Sequence, residues 1–147
     1  MKHILIIASN GSSLINFRLN LIKDLLVKGH KVSVASPTTN FPKNLQKILQ
    51  NLNIKIHNLS LSSTGLNIFK DFLSCLQIYK IINDSKPDII ISYTIKPVIY
   101  TGLILIFLKK IIYYPMITGL GYAFIDRHSI KHKILKYITE NLYKLGL

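Results

Sequence analysis

A small polar loop at residues 9–13 stands between an apolar run and a segment of helical period. Exposed backbone N–H groups at a helix start, with the positive end of the helix dipole, form a ready site for an anion. Asn16 and Arg18 follow within the first turns, and an arginine there can hold a phosphate or carboxylate through two hydrogen bonds. The competing interpretations are a simple turn with a helix cap and a solvated arginine.

Hydroxyl and cationic side chains follow a later apolar run, at Tyr93, Thr94 and Lys96. The lysine supplies a point charge, and the other two residues supply hydroxyl groups that can bind a polar ligand. Because lysines are common on protein surfaces, ligand binding and plain solvent exposure are both open for Lys96.

Two glycines separated by one residue follow the fifth apolar run, in the segment Thr118-Gly119-Leu120-Gly121-Tyr122. Glycine permits positive φ and lets the backbone approach a ligand closely. An ordinary strand-to-helix turn is the alternative, but the neighbouring threonine and tyrosine favour a ligand site.

Five short apolar runs alternate with longer segments of helical period and predict strands at 3–8, 31–35, 54–59, 88–92 and 111–117. Three of them are nearly continuous Ile, Leu and Val, as in strands covered by helices on both faces. We therefore predict an α/β fold with a doubly wound parallel sheet of about five strands. Ligands bind such sheets at the carboxyl ends of the strands, where the three polar segments fall.

The segments between and after the strands predict helices at 13–28, near 42–51, from 68 to 82, from Pro97 onward and from 130 to 142. Ser12 or Ser13 is the expected cap of the first helix, and Gly29 its left-handed end. The third helix has an apolar side chain every three or four residues, so we expect this stripe, including Cys75, to be core. The last helix has one aliphatic and one basic face, which suits an anionic membrane surface or an interface with another protein.

The composition limits the class of protein. Of 147 residues, 49% are hydrophobic and 17% charged, which predicts one folded domain over 1–147 rather than a disordered chain. Lys and Arg number 19 against 6 Asp and Glu, a net charge of +13 that favours acidic partners. No helix-turn-helix or RNP motif supports nucleic acid as that partner. The single cysteine, Cys75, excludes an internal disulfide framework and favours a reducing compartment, the cytoplasm.

The sequence gives little support for a membrane span or a metal site. The apolar stretch 98–117 is interrupted by Lys109 and Lys110, whereas a spanning helix needs about 20 consecutive apolar residues. The first apolar run is shorter than the roughly 7–15 residues of a signal-peptide core. Only His128 and His132 have helical spacing, and they lie among lysines without an intervening Glu, so we expect no metal site.

Three runs of the sequence resemble the amino-terminal domain of bacterial glycosyltransferase family 4 enzymes: INFRL at 15–19, SYTIKPVIY at 92–100 and TGLGY at 118–122. The likeness extends over nearly the whole chain, and further matches are Gly65, Asn67 and Asp71. Asn20 departs from the family pattern, in which proline is usual, and this affects only the rigidity of the first helix.

The resemblance implies one half of a GT-B fold, in which two Rossmann-like domains face a cleft. The amino-terminal domain holds mainly the acceptor, and the carboxy-terminal domain mainly binds the nucleotide-sugar, which is a co-substrate; no cofactor or metal is implied. The implied enzyme is a retaining hexosyltransferase that builds surface polysaccharide, such as capsule or lipopolysaccharide, or a lipid-linked oligosaccharide. With the basic charge, this predicts a cytoplasmic protein peripheral to the inner face of the bacterial plasma membrane.

Family members also carry a pair of glutamates in the carboxy-terminal domain, whereas this chain contains only Glu140. We therefore expect the donor site to lie in a carboxy-terminal domain of a longer enzyme or in a separate chain, and the isolated chain to be inactive. The alternatives are a membrane-recruiting, non-catalytic subunit of a split glycosyltransferase and a flavodoxin-like ligand-binding module.

The resemblance also carries over site residues by position, but no catalytic residue. Those bordering the acceptor or donor diphosphate are Asn10, Gly11, Asn16 and Arg18. Those at the acceptor are Thr94 and Lys96, next to Tyr93. Those in the cleft wall are Thr118, Gly119 and Gly121.

Overall fold

The computed structural model describes residues 1–39, 41, 43–61, 67–108 and 110–118. Within them, strands and helices alternate as β1 (His3–Ala8), α1 (Ser12–Val27), β2 (Lys31–Ser36), α2 (Lys43–Asn51), β3 (Lys55–Asn58), α3 (Ile68–Ser85), β4 (Ile89–Tyr93), α4 (Ile95–Leu105) and β5 (Ile112–Met116). No strand end differs by more than one residue from the prediction. The helix predicted from 130 to 142 lies outside the described residues.

The strands form one parallel sheet in the order β3-β2-β1-β4-β5. The chain builds outward from β1 to β3, then returns to the other side of β1 to add β4 and β5. The strand order therefore reverses between β1 and β4, where Ala8 lies in register with Tyr93. The predicted doubly wound parallel sheet is confirmed, and its ligand crevice is expected at the carboxyl ends of these two strands.

Helices cover both faces of β1, the central strand. Ile4 and Ile6 pack with residues of α1 and α2, whereas Leu5 and Ile7 pack with residues of α3 and α4 on the opposite face. All four side chains are at most 3% exposed. Because alternate side chains meet apolar cores on both faces, β1 has a continuous apolar run in place of the alternation of a half-exposed strand.

The start of α1 differs from the prediction that a serine side chain caps it. The N-cap is Gly11, whose backbone is already helical, and Ser12 and Ser13 are the first helical residues. The Asn10 side chain instead accepts a hydrogen bond of 2.9 Å from the Ser12 N–H. An Asx turn therefore precedes the helix and takes the place of a serine cap. The left-handed Gly29 at the other end, with φ of 78°, agrees with the prediction.

The prediction that the apolar stripe of α3 is core is wrong for its outer side. The buried residues of this helix are Ser74, Ile78, Ile81 and Ile82. Phe69 and Phe72 are 84% and 60% exposed, and Cys75 is half-buried against the core between α3 and the sheet. Periodicity identifies apolar positions but not which of them a neighbour covers, and this helix is apolar on two sides.

The edge strand β5 is also less covered than its apolar sequence predicted. Ile112, Tyr114 and Met116 point to one face and are each about half exposed, whereas Tyr113 packs against the core on the other face. An uninterrupted apolar run therefore does not by itself show that both faces of a strand are covered. In the described part of the chain, no helix is both long and apolar enough to cross a bilayer.

Candidate functional site

Hydrogen bonds join the carboxyl ends of three neighbouring strands at the point where the strand order reverses. The Thr94 hydroxyl, directly after β4, donates to the Ser9 hydroxyl, directly after β1, over 2.8 Å. The Thr94 N–H also donates to the carbonyl of Met116, the last residue of β5, over 3.3 Å. Thr94 therefore links the carboxyl ends of β1, β4 and β5 at the expected ligand crevice.

Thr94 adopts a backbone conformation that few side chains tolerate. Its φ of 72° and ψ of 162° lie in a region that is almost exclusive to glycine, and a β-branched residue there is strained by about 1–3 kcal/mol. The residue is the N-cap of α4, yet its hydroxyl makes no capping hydrogen bond and points to Ser9 instead. Strain of this kind is concentrated at binding and catalytic sites, which makes Thr94 a strong candidate residue.

Arg18 is buried beside this crevice, with 6% of its surface exposed. Its Nη1 donates to the Ser13 carbonyl over 2.9 Å, and the centre of its guanidinium lies 3.8 Å from the centroid of the Tyr93 ring. Among the described residues, nothing hydrogen-bonds its Nε, which is also buried. The alternative of a solvated helix residue is therefore excluded.

The positive charge of Arg18 has no carboxylate partner among the described residues. Burial lowers the pKa of the guanidinium from its ordinary value, and Tyr93 partly opposes that shift. Because an arginine stays protonated in proteins, the site keeps a desolvated positive charge. Such a charge is costly to bury alone and is stabilised by an anion that brings the missing negative charge.

Lys96 is not a free point charge, because it is paired with Asp71 at the start of α3. The Nζ to Oδ1 distance is 2.7 Å, and the two side chains are only 13% and 14% exposed. The same carboxylate accepts the Asn67 N–H over 3.0 Å and a hydrogen bond from the Tyr100 hydroxyl. This network joins the first turns of α3 and α4 next to Thr94.

Hydrogen bonding determines the charge state of Asp71. Burial alone would raise its pKa, but the hydrogen bonds from Lys96, Tyr100 and the Asn67 N–H outweigh that effect and hold the pKa below its ordinary value. Burial and the neighbouring Asp71 raise the pKa of Tyr100. Asp71 is therefore ionised at neutral pH, and its carboxylate holds the Lys96 side chain in place.

The other site residues predicted in and after the first loop are Asn10, Gly11 and Asn16, and their environments differ. Asn10 is exposed and occupied by the Asx turn, and Asn16 is exposed on α1. Gly11 is buried, and the ring of Phe41 fills the space that a Cβ on residue 11 would need. The glycine therefore serves packing, because any side chain there would displace Phe41.

At the other end of the predicted site, Thr118 is exposed two residues after β5. Gly119 and Gly121 lie outside the described residues. The structure thus brings together Arg18, Tyr93, Thr94 and Lys96 among the predicted site residues.

Three residues that contact the predicted site residues, namely Ser9, Asp71 and Phe41, were not predicted from their chemistry. The sequence places Ser9 only within a polar loop and Asp71 only as a match to a family pattern, and it indicates no role for Phe41. A hydroxyl directly after a central strand is a usable signal for Ser9. Nothing in the sequence indicates positive φ at a threonine, because β-branched residues rarely adopt it.

A separate cavity of about 620 Å³ lies beside the ends of β2 and β3, against α3. It is lined by polar side chains and by the apolar Pro37, Leu59, Leu61, Leu73 and Leu76. It does not include Arg18 or Thr94. In the described residues, no three His, Cys, Asp or Glu side chains come together as metal ligands would.

The chain matches one family model and shares its fold with several solved structures. The family model described as glycosyl transferase 4-like matches residues 3–146. Comparison with curated proteins gave no match.

Three solved structures share the fold at low sequence identity. MurG of Acinetobacter baumannii is 18% identical over 78% of this chain and 34% of its own, with a TM-score of 0.57. A glycosyltransferase of Rickettsia africae is 16% identical over 97% and 35%, with a TM-score of 0.60. A UDP-GlcNAc 2-epimerase of Methanocaldococcus jannaschii is 19% identical over 97% and 37%, with a TM-score of 0.53.

The chain therefore spans little more than a third of the length of these structures. Because they include an epimerase beside a glycosyltransferase, at identities below 20%, they show the fold alone. The described sheet is the Rossmann-like half of a GT-B fold.

Proposed function

The chain belongs to the glycosyl transferase 4-like family, and from this premise we propose that it is the acceptor-binding half of a retaining glycosyltransferase. The complete enzyme moves a hexose from a nucleotide-sugar to a surface polysaccharide or a lipid-linked oligosaccharide. A donor-binding domain, in the same polypeptide or in a partner chain, holds the nucleotide-sugar. With a lipid-linked acceptor, the enzyme works at the inner face of the bacterial plasma membrane.

The observation that carries the proposal is the buried, uncompensated charge of Arg18 at the point where the strand order reverses. Its guanidinium is held by Tyr93 and the Ser13 carbonyl, so its position is fixed before any ligand arrives. Its Nε–H is buried without a hydrogen-bond partner, and a phosphate oxygen that reached it would supply the missing acceptor. In this proposal Arg18 binds the diphosphate of a lipid-linked acceptor or of the donor, as its family position implied.

The Thr94 region supplies the polar surface next to that charge. Lys96 is fixed by Asp71, so it contributes a positioned ammonium rather than a mobile one. Pro97 is the third residue of α4 and has no N–H, so Ile95 and Lys96 carry the backbone N–H groups that the first turn of this helix does not use itself. A hydroxyl-rich glycan suits hydrogen-bond donors arranged in this way.

The positions of the described carboxylates support a domain that binds the acceptor but supplies no group that acts on the sugar. Asp71 is occupied by Lys96 and Tyr100. Asp24, Asp84 and Asp88 lie near the ends of α1 and α3 and before β4, at the amino edge of the sheet and away from the crevice. In this proposal the groups that act on the sugar come from the donor-binding domain, and the isolated chain does not convert substrate to product.

The test is a binding and hydrolysis assay on residues 1–147, with UDP- and GDP-sugars as donors and a water-soluble short-chain prenyl diphosphate sugar as acceptor analogue. We expect the acceptor analogue to bind, no donor to be hydrolysed, and Arg18→Met to weaken acceptor binding at least about tenfold, the loss of one charge-assisted contact. Lys23→Met, an exposed residue of the same helix, is the matched control with the same loss of charge.

Saturable donor turnover by the chain alone would show that a complete site is present and would overturn the acceptor-half assignment. Equal acceptor binding by Arg18→Met and Lys23→Met would remove Arg18 from the site. If neither donor nor acceptor bound, a non-catalytic recruiting subunit would replace this proposal.

A further inference from the structure

The cavity beside the carboxyl ends of β2 and β3 has no part in the proposed function so far. Its volume of about 620 Å³ lies within the roughly 300–1,000 Å³ of small-molecule sites. One wall is a flank of α3 that carries, at helical spacing, Lys70, Leu73, Gln77 and Lys80. The other wall follows the two strands and includes Pro37, Thr39, Asn58, Leu59, Ser60 and Leu61. The cavity is therefore large enough to hold a ligand group outside the crevice between β1 and β4.

Two amide side chains of the cavity have fixed orientations. The Gln77 Oε1 atom accepts the Ser60 N–H over 2.7 Å. The Asn58 Oδ1 atom accepts the Thr38 N–H over 3.1 Å and the Thr38 hydroxyl over 2.7 Å. Because only the oxygen of an amide can accept an N–H, the NH₂ group of each side chain is the part that remains for a ligand. Both amides therefore offer a ligand hydrogen-bond donors.

The charged groups of the cavity are donors as well. Lys70 and Lys80 line it, and a lysine ammonium has three donors and no acceptor. Neither lysine forms a salt bridge with a described carboxylate, and the described lining contains no Asp or Glu. The cavity is therefore complementary to a negatively charged ligand that is rich in acceptor atoms.

The spacing of the two lysines favours a ligand with more than one negative group. Lys70 and Lys80 are ten residues apart on α3, which is about 15 Å along the helix axis. Ammonium groups at this separation suit carboxylates repeated along a ligand better than a single carboxylate. Between them Leu73 and Leu76 are 56% and 48% exposed and present an apolar surface. The C–H groups of sugar rings can cover such a surface while the ring carboxylates face the lysines.

The cavity adjoins the crevice through the first turn of α3. Lys70 directly precedes Asp71, whose carboxylate binds the Lys96 Nζ over 2.7 Å. Lys96 stands two residues after Thr94, at the start of α4. Because β2 lies between β1 and β3 and strands are about 4.8 Å apart, the ends of β1 and β3 are about 10 Å apart. An acceptor that begins at Arg18 can therefore continue into the cavity as a short oligosaccharide.

We propose that the cavity is a subsite for carboxylate-bearing sugars, and that the acceptor is therefore an acidic glycan of the uronic acid class. Lys70 and Lys80 bind the carboxylates, and the NH₂ groups of Asn58 and Gln77 bind ring or hydroxyl oxygens. The net charge of +13 attracts such a polyanion from solution. The inference rests on the proposed function, because it names the class of acceptor that this domain binds.

The test is isothermal titration calorimetry of the full chain with three probes: trigalacturonate, maltotriose as an uncharged trisaccharide, and octanoate as an apolar acid. We expect trigalacturonate to bind at least about tenfold more tightly than maltotriose, the difference made by one charge-assisted contact. Its affinity should fall as salt rises, because exposed charges are screened over about 10 Å at 0.1 M. Octanoate should not displace it.

Gln77→Glu is the variant that separates donor from acceptor at one position. A carboxylate oxygen still accepts the Ser60 N–H, but the donor NH₂ group is replaced by a negatively charged acceptor. We expect this variant to bind trigalacturonate at least about tenfold more weakly and to change the affinity for maltotriose far less. Urea unfolding with the wild-type midpoint would show that the variant keeps its fold.

The contribution of the lysines is measured by Lys70→Met and Lys80→Met. Each variant should weaken trigalacturonate binding severalfold, because one of the two carboxylate partners is lost. Lys23→Met removes the same charge from an exposed position on α1, outside the cavity, and is the matched control. It should change the affinity much less than either cavity variant.

Amide NMR locates the bound trisaccharide. The N–H groups of Ser60 and Thr38 donate to the two amide oxygens of the cavity, so their resonances should shift when trigalacturonate is added. The His3 N–H, which donates to Asp88 at the amino edge of the sheet, is the control and should not shift. Binding that leaves the Ser60 and Thr38 resonances unchanged would place the saccharide outside the cavity and overturn the inference.

Three further outcomes would overturn the inference. Equal affinity for trigalacturonate and maltotriose would contradict an acidic acceptor. Equal losses in the Lys70, Lys80 and Lys23 variants would assign the binding to the net charge alone. Displacement of trigalacturonate by octanoate would assign the cavity to an apolar acid.

The proposed function and this inference fail in different experiments. If the prenyl diphosphate analogue binds and trigalacturonate does not, the acceptor-half assignment stands and the acidic subsite is wrong. If trigalacturonate binds in the cavity and the analogue does not bind, the role of Arg18 at a diphosphate is wrong, whereas the acidic subsite stands.

Discussion

The Arg18 guanidinium lies 3.8 Å from the centroid of the Tyr93 ring, and this contact joins α1 to the end of β4 across the reversal of strand order. Each residue limits the freedom of the other: the ring covers one side of the cation, and the cation holds the tyrosine at the crevice. Contacts of this kind contribute about 2 kcal/mol when both groups are desolvated. The anion-binding group is therefore preorganised before ligand binds.

The Tyr93 ring, rather than its hydroxyl, should determine how well Arg18 is held. We expect Tyr93→Phe to unfold in urea within about 0.5 kcal/mol of the wild type, because the aromatic face is retained. Tyr93→Leu should cost about 2 kcal/mol and weaken binding of the prenyl diphosphate analogue, because the cation loses its support. A Phe variant as damaging as the Leu variant would instead assign the effect to the hydroxyl.

The backbone strain at Thr94 should appear as a difference in stability between two variants of this residue. Thr94→Ala keeps the unfavourable φ and loses the hydroxyl contact with Ser9, which contributes about 1 kcal/mol. Thr94→Gly loses the same contact but relieves strain of about 1–3 kcal/mol. We therefore expect the Gly variant to be more stable than the Ala variant in urea unfolding.

Ser9→Ala is the control for Thr94, because it removes the hydroxyl contact without changing the backbone of residue 94. Equal stability of the Gly and Ala variants of Thr94 would show that the backbone there is not strained. If the strain serves ligand positioning, the Gly variant should also bind the acceptor analogue more weakly than the wild type despite its greater stability.

Lys96 and Asp71 should stabilise the fold as a pair. Replacing either residue alone should therefore lower the free energy of unfolding strongly. Because both side chains are mostly buried, Asp71→Ala should cost about 3 kcal/mol by leaving the lysine unpaired. Lys96→Met combined with Asp71→Leu should cost less than the sum of the single changes, by about 1–3 kcal/mol in a double-mutant cycle. Additive costs would show that the two residues act separately.

The exposed pair between Lys2 and Asp88, 3.5 Å apart, is the matched control for an ion pair in this chain. Lys2→Met should change stability far less than Lys96→Met, because side-chain entropy and solvent screening offset most of an exposed contact. Similar effects at both sites would contradict the importance of burial for the Lys96–Asp71 pair.

The same ion pair predicts the direction of a pH dependence. The folded pKa of Asp71 is below its ordinary value of 3.8, so its contribution to stability is fully present above about pH 3.8 and is lost as pH falls through the folded pKa. Urea unfolding below about pH 4 should show a smaller loss in Asp71→Asn than in the wild type. An identical acid dependence in both proteins would exclude Asp71 as its source.

Gly11 should be required for packing against Phe41. Gly11→Ala places a methyl group where the ring lies, so we expect a cost of about 1–3 kcal/mol in urea unfolding. Phe41→Ala should remove most of that extra cost in the double variant. Gly29→Ala is the control: it meets open space and is disfavoured by its positive φ, so Phe41→Ala should leave its cost unchanged.

The sequence was sufficient for the order and bounds of the strands because β1 and β4 are short, almost wholly apolar and separated by segments of helical period. It also indicated the loops after β1 and β4 as site segments, since ligand crevices of such sheets have a fixed place. It did not show that Lys96 would meet Asp71, because the two residues come from different helices and their contact depends on how α3 and α4 pack.

The alternation of strands and helices, the parallel sheet and the polar residues at its carboxyl edge could all be predicted from the amino-acid sequence. Those properties follow from local period and from short-range backbone rules. The folded chain was needed to show that Arg18 is buried on Tyr93, that Thr94 has a glycine-like backbone, and that one apolar side of α3 faces outward. These depend on which surfaces meet, since burial is a property of neighbours distant in the sequence rather than of the residue itself.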